Sequence, residues 1–315
     1  MAKLTVISNP AADHGYAARA FPKLRSLLEI AAEATGFETE WQPTQYPRHA
    51  IELAQKAAQS GVDVVVAVGG DGTVHEVVNG LMAVPQDQRP QLGVLPNGSG
   101  NDFATNLGLP RRVEKAVEAI MSGRTRPVDA AHIKDLSTGH MEYVSNTVGI
   151  GFSGEVNQRT KGMQLRGFLM YFIGVVRTII RNPQPMQVEV SVDAQPPTDH
   201  LLSMISLCNG ANEGGGFPVA PMALMDDGKL TYSLMRNMDR IQLTFFVPIV
   251  MTARQSRYPT FFKFGTGQRV RITCKTPMTI HMDGEMFAWS DDDVRDIEMQ
   301  IYPHALRVLC GTNCP

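Results

Sequence analysis

Val62-Asp63-Val64-Val65-Val66-Ala67-Val68-Gly69-Gly70-Asp71-Gly72-Thr73 runs directly into Val74-His75-Glu76-Val77-Val78-Asn79-Gly80. The nearly continuous β-branched run reads as a parallel strand buried on both faces. Three glycines in four positions then force a sharp turn, after which Val74, Val77, Val78 and Leu81 recur at helical spacing. The unit is strand, tight glycine loop, helix. Glycines let the backbone approach a ligand closely, and the helix start offers N–H groups and the positive end of a dipole, a setting for phosphate. Asp71 repels a bare anion, so it is either a turn residue satisfying its own backbone or a carboxylate that meets phosphate through Mg²⁺; this stretch alone leaves both open.

Strands and helices alternate on either side of it. Residues 4–8 read as a strand ending in the turn signal Asn9-Pro10, and 17–34 as a helix with Leu24, Leu27, Leu28 and Ala31 on one face. A strand over 37–42 and a helix over 50–60 precede the Val62 strand. Residues 91–95 form a short strand running into the loop Pro96-Asn97-Gly98-Ser99-Gly100-Asn101-Asp102, followed by helices over 103–107 and 113–122. This alternation predicts a doubly wound sheet with ligands at the carboxyl ends of its strands. Around Arg126-Pro127-Val128 the pattern changes to short or period-two apolar runs at 130–134, 141–148, 187–193, 201–208, 230–235, 269–274 and 279–282. One helix, over 165–181, interrupts them. The reading is an α/β domain over 1–127, rejoined by 304–315 through a last strand at 305–309, and a β-rich domain over 128–303.

A chain of 315 residues with 43% hydrophobic content can bury two cores. Its net charge of −2 argues against nucleic acid as a partner. Cys208, Cys274, Cys310 and Cys314 include no C-x-x-C pair and read as reduced thiols. Residues 4–8 already look like a first strand, not a leader, and the apolar run 167–176 falls far short of the ~20 residues that span a bilayer. The G-x-G-x-x-G match at 149–154 lacks a surrounding βαβ unit and reads as structural. No Walker A loop is present, so no P-loop lysine serves any phosphate bound here.

Four blocks occur in one order along the chain: GGDGT at 69–73, LGVLPNGSGNDFATNLGLP at 92–110, NGANEGGGFPVAPMALMDDGKL at 209–230 and MDGE at 282–285. In this the chain resembles the diacylglycerol kinase catalytic family, in particular its bacterial soluble lipid kinases, over nearly its whole length. That family is related to sphingosine and ceramide kinases and, more distantly, to NAD kinases and 6-phosphofructokinases. Ser99 stands where the family usually has Thr, keeping the hydroxyl, and the segment 9–15 lacks the usual serine-glycine pair.

The resemblance implies a 6-phosphofructokinase/NAD kinase-like first domain and a C-terminal β-rich sandwich. ATP would contact Asn9, Thr44, Gly69, Gly70, Asp71, Gly72, Thr73, Glu76, Gly98, Ser99 and Asn101. Asp71 and Asp102 would join a Mg²⁺ and water network on the transferring phosphate. Glu285 would be the general base, with Asp283 as an electrostatic or positioning group on the same strand face. A second, structural Mg²⁺ would take the Asp227 carboxylate and the main-chain carbonyls of Leu224 and Lys229; alone, Asp226-Asp227-Gly228 reads as a turn. The implied activity is ATP-dependent phosphorylation of a glycerolipid hydroxyl, with diacylglycerol the leading acceptor, in phospholipid metabolism. The alternatives are a kinase for another lipid alcohol (phosphatidylglycerol, sphingoid or polyprenol-like) and a non-catalytic nucleotide- or lipid-binding regulator.

Residues 156–188 carry Arg159, Lys161, Arg166, Arg177 and Arg181 without an acid, and 240–282 carry Arg240, Arg254, Arg257, Lys263, Arg269, Arg271 and Lys275, again without one. Interleaved with phenylalanines, they suggest a basic rim that holds a cytoplasmic enzyme against the inner face of a membrane. The sequence leaves room for a homodimer.

Overall fold

The computed structural model describes residues 1–15, 17–163, 165, 167–181 and 184–311; Arg166 and Cys314 lie outside them. These residues divide into two compact units, one of 1–129 with 304 onward and one of 130–303.

In the first unit the chain runs β1 (Ala2–Ser8), α1 (Ala17–Ala34), β2 (Phe37–Pro43), α2 (His49–Gln59), β3 (Val64–Gly69), α3 (Asp71–Met82), β4 (Gln91–Pro96), α4 (Asp102–Asn106) and α5 (Val113–Met121). The strands are parallel in the order β2-β1-β3-β4, and the last strand of the chain adds Val308 beside Leu92. Every residue of β3 is buried, which explains its unbroken apolar run. Leu24 and Leu28 of α1 with Val117 and Ile120 of α5 pack on Val64, Val66 and Val68. Gly80 lets α3 cross α2 closely, since a Cβ there would collide with the Ile51 carbonyl. β1 goes out to β2 on one side and to β3 on the other, so strand order reverses between β1 and β3, the position where doubly wound folds bind ligands.

The second unit holds most of β5 (Thr125–Asp135), then β6 (Met141–Val144), β7 (Thr147–Gly151), α6 (Phe152–Thr160), α7 (Gly167–Arg181), β8 (Met186–Val192) and β9 (Thr198–Cys208). It continues with β10 (Leu230–Arg236), α8 (Arg240–Met251), β11 (Phe262–Gly267), β12 (Arg269–Cys274), β13 (Ile280–Met282), β14 (Glu285–Ala288) and the first part of β15 (Asp296–Leu309). β9 is the spine, antiparallel to β8 through its first half, to β7 through its second and to β10 from Leu202 to Cys208. Ile150, Ile205, Leu207, Ile272 and Ile280 lie in its main core, while Phe246, Phe262 and Val175 belong to a second cluster.

Two expectations fail here. The single strand over 141–148 is two strands, because the N–H groups of Ser145, Asn146 and Thr147 donate to a carboxylate instead of a ladder. Helices α6 and α8 join the one helix expected among these strands, and the G-x-G-x-x-G match runs from the end of β7 into the start of α6. A Cβ on Gly149 would collide with the His281 imidazole and one on Gly154 with the Thr279 carbonyl, while Gly151 has φ +73°, so these glycines serve packing. Helix α8 is apolar on most sides and carries Pro248, which hides its period; its start is a capping box in which Asp239 Oδ1 accepts from Gln242 N and Gln242 Oε1 accepts from Asp239 N.

Candidate functional site

The carboxyl ends of the first unit's strands converge on two glycine loops. Gly70 N-caps α3 in an extended conformation, and its carbonyl accepts from Thr73 and Val74. Asn97 N donates to Gly69 O at 2.8 Å, and a Cβ on Gly98 would collide with the Gly70 Cα, so the loops after β3 and β4 pack glycine on glycine. Asn9 N donates to Val68 O at 3.1 Å and its side-chain amide to Thr73 Oγ1 at 3.2 Å, bringing the turn after β1 onto the same place. Thr44 N donates to Ser8 O at 2.8 Å, which fixes the end of β2. Gly72 lies in the first turn of α3, whose leading N–H groups have no partner within the helix. Asn101 has φ +61° and its amide bonds both Gly98 N and Gly98 O, shaping a loop in which Ser99 is exposed.

Asp71 and Asp102 come together. Asp71 Oδ1 accepts from Phe103 N at 3.1 Å, reaching from the first turn of α3 to that of α4. Asp71 Oδ2 and Asp102 Oδ2 both lie within 4 Å of the point a Gly100 Cβ would occupy. Glu76, expected at the nucleotide, has two oxygens that accept from Arg48 N and Ala50 N and cap α2. Tyr46 and His49, not singled out in the sequence, stack at 4.2 Å beside Thr44; the carboxylate of Glu52, accepting from the Tyr46 hydroxyl, holds that phenol above its ordinary range.

In the second unit, Asp283 and Glu285 do not share a strand face. Asp283 has φ +49° and Gly284 φ +85°, so they form a two-residue turn between β13 and β14. The Asp283 carboxylate is buried and accepts from Ser145 N, Ser145 Oγ, Asn146 N and Thr147 N at 2.8–3.0 Å. Glu285 opens β14 with its side chain 53% exposed, and Lys161 Nζ holds its Oε2 at 2.7 Å while also donating to Gly284 O. Nothing in the sequence links Lys161 to the turn, because α6 was not foreseen.

The expected structural metal loop is an Asx turn: Asp227 Oδ1 accepts from Lys229 N at 3.0 Å, Gly228 has φ +69°, and Leu224 is exposed. Among the described residues no group of three or more His, Cys, Asp or Glu converges on one point. A Mg²⁺ ion needs less than that, because it is held by one or two carboxylates plus substrate phosphates and water. The Asp71–Asp102 pair fits that donor set, and Asp227 with two carbonyls fits it more loosely.

The basic rim is thinner in space than in sequence. Arg271 pairs with Asp296 at 2.6 Å, Arg269 lies 3.9 Å from Glu298 and Arg159 pairs with Glu155 at 2.7 Å, all acids outside the two counted stretches or next to them. Burial raises the Glu155 carboxyl above its ordinary range, against the pull of Arg159 and Arg181. Arg177, Arg240, Arg254 and Arg257 are exposed and have no acid within ion-pair distance among the described residues. Beside them α7 exposes Phe168, Leu169, Val176 and Ile180, and α8 exposes Ile241 and Phe245, whereas Phe246 and Phe262 are core. No helix among the described residues is long and apolar enough to cross a membrane.

Comparison with known proteins agrees with this layout. Residues 3–133 match the diacylglycerol kinase catalytic domain, and residues 146–310 match the YegS C-terminal NAD kinase beta sandwich-like domain. The chain is 28% identical over 291 residues to a diacylglycerol kinase of Bacillus subtilis (strain 168), covering 90% of each. It is 30% identical over 277 residues to the "Probable lipid kinase YegS-like" of Yersinia pestis (strain Pestoides F), covering 84% of this chain and 85% of that one. Its fold superposes on the crystal structure of a diacylglycerol kinase from Bacillus anthracis str. Sterne with a TM-score of 0.73 at 20% identity, over 99% and 98% of the two chains. An NAD kinase from Archaeoglobus fulgidus in complex with ATP shares the fold at a TM-score of 0.51 and 11% identity, over 98% and 94%. The chain therefore belongs to the diacylglycerol kinase catalytic family of lipid kinases, joined to the family's NAD kinase-like β-sandwich domain.

Proposed function

We propose that the protein transfers the γ-phosphoryl group of ATP to the hydroxyl of a glycerolipid, with diacylglycerol as acceptor and phosphatidic acid as product. The observation that carries this reading is the convergence of Asp71 and Asp102 at Gly100, between glycine loops that sit at the carboxyl ends of β3 and β4. Backbone amides of the Gly69–Thr73 and Gly98–Asn101 segments cradle phosphates there, in place of a P-loop lysine. A Mg²⁺ ion bound with the nucleotide would supply charge neutralisation at the transferring phosphoryl group. Asp71 and Asp102 are the residues that would hold that ion. Glu285 accepts the hydroxyl proton on Oε1, since Lys161 engages Oε2. Asp283 holds the turn that presents Glu285. Incubating the protein with γ-labelled ATP, Mg²⁺ and a panel of lipids tests this: label appears in phosphatidic acid, and label in no lipid overturns the reading.

The loop at 224–229 binds a second, structural Mg²⁺ in this reading. Asp227→Ala lowers the melting temperature and blunts its rise with added Mg²⁺, because a ligand bound only to the native state stabilises by mass action. An unchanged Mg²⁺ response leaves a plain Asx turn.

The exposed apolar faces of α7 and α8, with Arg177, Arg240, Arg254 and Arg257, are the membrane-docking surface. Each Lys or Arg near an anionic surface contributes about 1 kcal/mol, falling off within a Debye length of roughly 8 Å. Vesicles containing phosphatidylglycerol bind the protein, neutral ones bind weakly, and salt weakens the contact. Arg254→Glu with Arg257→Glu raises the KM for vesicle-borne lipid more than that for ATP. Equal binding to neutral and anionic vesicles at low salt would contradict the electrostatic part.

A further inference from the structure

The C-terminal end of α6 is fastened to the turn between β13 and β14. Asn157 Nδ2 and Lys161 Nζ, one helical turn apart, both donate to Gly284 O at 3.1 Å, and Gln158 Nε2 donates to Ser290 Oγ at 3.0 Å just beyond β14. Asn157 is 1% exposed and also donates to the Tyr171 hydroxyl at 3.4 Å, so the turn is held from α6 even without the lysine.

Lys161 therefore does more than hold a turn. A second N–H of its ammonium goes to Glu285 Oε2 at 2.7 Å, and the third has no partner among the described residues. The side chain is 35% exposed, so that third donor is open to a ligand. Lys161 is the cation that faces Glu285 among the described residues. From α7 the neighbouring group is the Tyr171 hydroxyl, 3.5 Å from where a Gly284 Cβ would stand, and the Asp283 carboxylate is taken up by its four donors around Ser145.

In the proposed reaction the acceptor oxygen forms a bond to the γ-phosphorus, the bond from that phosphorus to the β,γ-bridging oxygen breaks with its electron pair leaving on ADP, and the hydroxyl proton moves to Glu285 Oε1. Glu285 ends neutral. A phosphate monoester stands where the hydroxyl was, so Lys161 loses its counter-ion as a new anion forms one carboxyl group away.

We propose that Lys161 is a phosphate-binding residue whose partner is exchanged during the reaction: it pairs with ionised Glu285 before transfer and with the new phosphate monoester after it. Until the proton has moved, Glu285 masks Lys161 from anions, and the pair favours an uncharged acceptor over one that already carries phosphate. The exchange rests on the kinase reading; the masking rests on the Lys161–Glu285 pair alone.

Titration calorimetry without ATP compares dioctanoyl phosphatidic acid with dioctanoylglycerol as the uncharged control. Glu285→Gln mimics the protonated base. It is expected to bind the phosphatidic acid about three- to tenfold tighter than the wild-type protein does, the range of a partly exposed ion pair to phosphate, with the control unchanged. Adding Lys161→Met to Glu285→Gln removes the gain, whereas adding Lys161→Arg keeps it. Unchanged affinity in Glu285→Gln overturns the proposal, and so does a gain that survives Lys161→Met, which would reflect only the loss of a negative charge. The Glu285→Gln comparison can overturn the proposal by itself, so a Lys161 variant that impairs folding does not shield it. A protein that follows this cycle yet phosphorylates no lipid refutes the kinase reading and leaves the masked lysine; one that makes phosphatidic acid without the cycle refutes the exchange alone.

Discussion

Glu285→Gln is expected to lower turnover by about 10²- to 10⁴-fold, the usual contribution of a positioned general base, while ATP affinity stays near wild type. Glutamine keeps the shape and the Lys161 contact geometry but cannot accept the hydroxyl proton. Stability should hardly change, because the ion pair joins side chains that are 35% and 53% exposed, and such pairs contribute roughly 1 kcal/mol or less. Activity within a factor of a few of wild type would remove Glu285 from the mechanism.

The opposite profile is expected two residues earlier. Asp283→Ala leaves the buried N–H groups of Ser145, Asn146 and Thr147 and the Ser145 hydroxyl without their shared acceptor, in a turn whose first residue is left-handed. Stranding such donors costs on the order of 3–5 kcal/mol. At about 2–4 °C per kcal/mol for a domain of this size, the second unit's melting transition should fall by roughly 10 °C. A melting curve matching wild type, with activity lost, would make Asp283 a participant in the chemistry and not the anchor of the turn.

The contrast between these two residues shows how far the sequence reaches. The first unit was legible because each of its signals is local: the β-branched run of β3, the glycines that follow, and the helical periods of α1 and α5 all act within a dozen residues. The second was legible as β-rich but not in detail. The break at Ser145-Asn146 is caused by a carboxylate some 140 residues downstream, which no pattern in 141–148 encodes. Asp283 and Glu285 were expected on one strand face, and the positive φ of Asp283 makes D-G-E a turn instead.

Charge counting misled for the same reason. Arg269 and Arg271 looked unopposed because their partners, Glu298 and Asp296, arrive on β15 by antiparallel pairing. The residues left over cluster on α7, α8 and the turn after α8, and α8 was itself invisible to periodicity. Ser153, Glu213 and His281 come from three distant segments, so only the fold brings them into hydrogen-bond contact.

In the proposed reaction a lipid hydroxyl receives the γ-phosphoryl group. That transfer is tested most directly by ADP release and label transfer from γ-labelled ATP, measured with a diacylglycerol and with the same molecule methylated at its free hydroxyl. Stoichiometric ADP and labelled phosphatidic acid are expected with the diacylglycerol, and neither above background with the ether; equal ADP release with both, and no labelled lipid, would overturn lipid phosphorylation.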